Sequence, residues 1–275
     1  MRLAAPRTTH RGTILAVTLA MVPLGPSPKM SISAIQRQLQ TLWPDLPAAQ
    51  RPEQKDNTWS FSLGESEVVF ARMPAPIPWS DLEPVCEASL LWKNPKQALK
   101  PHRSHLIVTL LYEASPVEQA KRLTQVLAAI LGACEQALGV YWGTAGQVIS
   151  SEIFRDFAKE FLPDEFPLML WVNVRVGKNE TGTSSGFTRG LAAFGLMELE
   201  TEDSPEVPGD LHGRLVGLAG YLLENGPVIR DGDTVGGSAD ERIQIVYSKS
   251  SFGNEGKVMR LNYGASSRKP WWKFW

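Results

Sequence analysis

The sequence predicts an α+β fold, and three observations carry that expectation. Apolar residues recur at spacings of three and four in some windows and alternate in others. Windows of the two kinds follow one another as strand, helix, strand, strand, helix, strand, the ferredoxin-like order. Gly, Pro and Ser clusters separate them. At 275 residues, 43% of them apolar, the chain can bury the core of one large domain or two small ones.

The first strand is expected at Ile14–Val22, an apolar run ahead of the Pro/Gly stretch at 23–28. Ile32, Ile35, Leu39 and Leu42 then draw one stripe down a helix that Pro44 ends. Trp59, Phe61 and Leu63 alternate with serines, and the turn at 64–66 leads into a second strand at 67–72, making a hairpin. Ser80 and Glu83 have the spacing of a capping box for a helix carrying Leu82, Val85, Cys86 and Leu90. The apolar run 105–112 reads as a central strand.

Beyond it the same order recurs. Pro116 opens a helix running through Leu127 and Cys134; strands follow at 138–143 and 147–149, joined at Gly146. Ser151 is expected to cap a helix bearing Phe154, Phe157 and Phe161, and 168–176 alternates as a strand. Two ferredoxin-like units, fused or overlapping at 105–112, are therefore expected. Residues 177–186 read as loop and 190–200 as strand; Asp210 is the expected N-cap of a helix at 211–224, closed by an αL cap at Gly226. Strands near 228–230, 243–247 and 258–263 complete the pattern. The expected organisation is an unstructured extension at 1–13, one domain at 14–264 with possible subdomains 14–112 and 113–264, and a tail at 265–275.

Charge narrows the function. Lys plus Arg total 28 against 29 acidic residues, so no net field draws the protein to nucleic acid. Cys86 and Cys134 fall on apolar stripes without a Cys-x-x-Cys pair, which fits a reducing compartment and neither a zinc ribbon nor a disulfide framework. A cytoplasmic location is expected. Its rival is export, because Arg2, Arg7 and Arg11 before the run at 14–24 resemble a signal peptide over residues 1–27. That run is too short to span a bilayer.

No catalytic constellation emerges: there is no Gly-x-Ser-x-Gly elbow, Walker A motif or dinucleotide fingerprint, and no cofactor is expected. His102 and His105 are weak metal candidates, since their odd spacing on a strand sends the side chains to opposite faces. Asp231, Asp233, Asp240 and Glu241 gather among glycines and could hold a hard cation, although Asp-Gly is also ordinary turn chemistry. Gly213, Gly217 and Gly220 each cost a helix about 1 kcal/mol relative to alanine. Close packing on the sheet is the expected reason, with a ligand against the helix the alternative. Trp271, Trp272, Phe274 and Trp275 stand beside Arg268, Lys269 and Lys273 in the tail, an aromatic–basic pattern suited to a membrane interface, to a partner's groove or to covering the protein's own surface.

The segments 102–111, 138–148, 186–200 and 221–236 together resemble a bacterial family known only as a domain of unknown function. The resemblance runs over roughly residues 14–263 and implies one continuous architecture. It implies no activity. The expectation is a non-catalytic cytoplasmic interaction protein, an adaptor or immunity-type partner that meets another protein through its tail. The alternative is a metal- or ligand-binding enzyme using the acidic loop 230–241.

Overall fold

A computed structural model describes residues 18–112, 114–237 and 241–264, and it is α+β. The N-terminal part runs β1 (Thr18–Leu24), α1 (Ile32–Leu42), β2 (Gln50–Lys55), β3 (Thr58–Leu63), β4 (Ser66–Met73), α2 (Trp79–Glu87), α3 (Pro95–Leu99), β5 (Ser104–Leu111), α4 (Pro116–Ala133), β6 (Gly139–Trp142), β7 (Gln147–Ser150) and α5 (Ser151–Phe161). Its strands form one antiparallel sheet in the order β2-β3-β4-β5-β1-β6-β7. The apolar N-terminal run is thus a central strand from Thr18 onward, registered on β5 from Thr18↔Leu110 to Leu24↔Ser104. Residues 1–17, including the arginines of the possible leader, lie outside the described residues.

The ferredoxin-like arrangement does not form, and β2 is the reason. All six of its residues are exposed and they show no alternation, so only backbone pairing with β3 makes it a strand. This extra strand reverses β3 relative to β1. β1 then lies between β5 and β6 instead of against the hairpin. The second expected unit is divided as well, because its final strand belongs to the other sheet.

That sheet follows α6 (Leu168–Trp171) and comprises β8 (Asn173–Lys178), β9 (Ser184–Arg189), β10 (Leu199–Ser204), β11 (Thr234–Val235), β12 (Ile243–Lys249) and β13 (Lys257–Asn262), with α7 (Pro208–Asn225) between β10 and β11. The order is β11-β12-β13-β10-β9-β8, parallel only between β10 and β13. Residues 168–171 are helical where a strand is expected, because Leu170 and Trp171 are both buried and the apparent alternation does not describe two faces. The loop expected at 177–186 shrinks to 179–183. Residues 191–194 form a 3-10 turn flanked by Gly190 and Gly195, both at positive φ, and 228–230 is a loop.

Four caps differ from expectation. Ser80 lies within α2 and bonds Asp81, the helix ends at Glu87, and Leu90 is exposed. Ser150 rather than Ser151 caps α5, accepting from Ile153 N at 3.3 Å. α7 begins at Pro208, whose fixed φ suits the first helical position, leaving Asp210 in the first turn. Gly226 ends α7 with φ +77 and ψ −162, outside the αL region.

One buried apolar cluster joins the two sheets, from Val22 and Leu106 through Leu123 and Leu127 of α4 to Leu215 of α7 and Leu261 of β13. Trp171 is its centre. It is fully buried between Phe166 and Phe194, and its Nε1 donates to Thr124 Oγ1 at 2.9 Å. Ile77, Leu82, Cys86, Leu99 and Val148 form a smaller cluster.

Candidate functional site: a groove beside α7

α7 buries Leu211, Leu215, Ala219 and Leu222 against the second sheet, so the face carrying Gly213, Gly217 and Gly220 turns away from it. A Cβ added at any of these glycines would meet nothing within 4 Å. Close packing on the sheet, the expected reason for them, is therefore not their role. Beside Gly217 lies an open groove of about 700 Å³, which runs between α7 and the segment 228–237; Gly213 and Gly220 are not part of its lining. Tyr221 and Val228, each 48% exposed, stand in its walls with Leu218 and Val235, and Arg214 lines it as well.

The acidic loop builds one wall. Asp231 accepts from Tyr247 N and Asp233 from Arg230 N, both at 2.7 Å, while Tyr247 Oη donates to Ile229 O at 2.6 Å. Glu241 accepts from Gly237 N at 2.6 Å and from Arg214 at 2.7 Å. Asp233 and Glu241 thus take backbone donors of the loop itself, Asp231 ties the loop to β12, and Glu241 ties it to α7. Asp240 lies outside the described residues, and among those described no group of three or more potential ligands converges on a metal position.

Arg214 anchors the groove in a second direction. It donates to Glu206 through Nε at 2.7 Å and through Nη2, and Tyr263 Oη donates to the same carboxylate at 2.7 Å. Burial opposes ionisation of Glu206, yet the Arg214 and Tyr263 hydrogen bonds outweigh it and hold the carboxyl below its ordinary range. Burial and this carboxylate push the Tyr263 phenol well up. Tyr263 is two residues from the tail; Trp271, Trp272, Phe274 and Trp275 themselves lie outside the described residues.

The histidines sit elsewhere. Buried His102 donates from Nδ1 to Leu99 O at 2.5 Å and accepts from Ile77 N at 2.8 Å, so both ring nitrogens are occupied. His105 donates from Nδ1 to Ala75 O at 2.9 Å, and burial lowers its pKa. Together they fasten the 75–77 connection to the first sheet. Arg214 and Tyr221 were not distinguished in the sequence; the glycine spacing of α7 was the one available signal for this face.

Among the described residues no helix is long and apolar enough to cross a membrane. No curated protein and no solved structure matches the chain. Residues 187–262, which contain α7 and the whole lining of the groove, match an uncharacterised family described as Domain of unknown function (DUF4261).

Proposed function

We propose that the protein is a non-catalytic binding protein of the bacterial cytoplasm, and that the groove beside α7 receives an apolar segment of a protein partner. The groove itself carries this reading. It is open above Gly217, a glycine that packing does not require, and its walls present Tyr221 and Val228 to solvent. Glycine at 217 costs the helix about 1 kcal/mol, a burden that a ligand's close approach explains. The aromatic tail at 265–275 is a second contact in this proposal. Buried free Cys86 and Cys134 are in keeping with a reducing compartment.

The test uses a photo-crosslinking amino acid placed in the full chain, in cells, at Tyr221 or Val228, with Gln54 of exposed β2 as control. A discrete crosslinked protein from the groove positions, absent from the control, is the expected outcome. Equal patterns at all three positions would discard the groove as the docking surface.

A further inference from the structure

The second sheet has another face, opposite α7, and two arginines meet there without a counter-charge. In the β8–β9 ladder Asn173 lies opposite Arg189 and Arg175 opposite Phe187, which places all four side chains on one face. α7 covers the other face, since a Cβ at Gly186 would lie 3.0 Å from Leu215 Cδ1. Both guanidinium groups approach Gly146, at the tip of the β6–β7 hairpin. Arg175 Nη2 is 3.4 Å from Gly146 O, and a carbon added to Gly146 would lie 3.7 Å from Arg189 Nη1.

Neither charge has a carboxylate partner among the described residues: the Arg189 side chain makes no hydrogen bond or ion pair there, and Arg175 Nε is buried without a partner. The one arginine with a carboxylate on this face, Arg260, is paired with Glu202. Nearby Glu200, fully buried, accepts from Ser251 N at 2.9 Å, Asn254 Nδ2 at 3.0 Å and Ser250 Oγ, all neutral donors. Burial first, and then the adjacent Arg189, lower the Arg175 pKa, so repulsion between the two cations adds to the cost of burying one.

The arrangement is also held in place. Glu200 fastens the 250–254 loop, that loop sets Phe252 on Phe187 at 5.0 Å, and Phe187 lies under the Arg175 guanidinium at 5.9 Å. Two convergent guanidiniums match a phosphate group, which carries about −1.5 to −2 at pH 7 and offers oxygens for forked donation. We propose that Arg175 and Arg189, beside Gly146, form a phosphate-binding site on the sheet face away from the groove.

The test is calorimetric titration of the full chain with inorganic phosphate, with acetate at matched ionic strength as the comparison, alongside melting of the free protein. Saturable binding of phosphate and not acetate is expected. Arg189→Gln and Arg175→Gln should each weaken it about tenfold or more, the worth of a charge-assisted hydrogen bond. Arg189→Gln should leave the free protein's melting temperature unchanged or raise it, by relieving repulsion. Three results would each overturn the site: no phosphate binding above the acetate level, binding undiminished in both variants, or a free protein destabilised by Arg189→Gln.

Discussion

Around the seven-stranded sheet the buried polar side chains among the described residues include no carboxylate: Gln119 donates to Tyr112 O and Ala114 O, Gln147 to Met169 O and Leu170 O, and His102 and His105 hold the 75–77 connection. Around the six-stranded sheet two carboxylates are buried instead, and both organise connections. Glu198 accepts from Gly190 N at 2.7 Å, Ala192 N at 3.0 Å and Thr188 Oγ1 at 2.7 Å, which builds the 191–194 turn; Glu200 does the same for 250–254. Buried charge is costly unless fully hydrogen-bonded, so a protein that retains it fixes particular loops rather than adding general stability. The second sheet, where α7, the groove and the arginine face lie, is the part whose loops are fixed this way.

The sharpest way to break the comparison is Glu200→Ala. It leaves Ser250, Ser251 and Asn254 donors unpaired and should cost about 3 kcal/mol in chemical denaturation. Amide exchange at 250–254 should rise while β1, β4 and β5 stay protected. Uniform loss of protection would show that the two sheets do not differ in this respect.

A smaller effect is expected from Glu206→Gln, at roughly 2 kcal/mol near neutral pH, below the cost for a fully buried pair because both partners retain some exposure. The sign with pH follows from the depressed carboxyl. Its contribution is complete above the unfolded value near 4.3 and disappears as pH falls through the lower folded value. Denaturation midpoints of the two proteins should therefore converge in acid. A gap that persists at low pH would deny the Arg214–Glu206 pair its role.

The smallest effect runs in the other direction. Gly213→Ala, Gly217→Ala and Gly220→Ala should each stabilise by about 0.5–1 kcal/mol, because nothing lies within 4 Å of the added carbon and the helix gains propensity. Melting curves decide it. Destabilisation at any of the three would mean that the backbone is needed for the fold itself.

Periodicity made much of this fold legible. The stripes of α1, α4 and α5 and the hairpin β3–β4 follow local spacing, and the structure has them where the spacing puts them; α7 follows from its flanking breakers, with its start at Pro208 instead of after Asp210. β2 was illegible because a polar edge strand carries no hydrophobic period. The turn at 191–194 replaces the expected strand because Gly190 and Gly195 take positive φ and Glu198, in the same segment, accepts from Gly190 N and Ala192 N, neither of which an apolar run reveals. At the site, Asp231 and Asp233 were visible as turn chemistry, and the α7 glycines as an unexplained cost. The Arg214 network and the Arg175–Arg189 pair arise only when separate strands and loops are brought side by side.

The claim that the α7 face is a partner groove is tested most directly by Gly217→Trp. A Cβ at Gly217 meets nothing within 4 Å and Gly217 lines the groove, so the indole should compete with a partner for that space. The prediction is a melting temperature equal to or above that of the parent protein together with loss of the crosslinked partner from Val228. A crosslink retained at parental yield in the folded variant would contradict it.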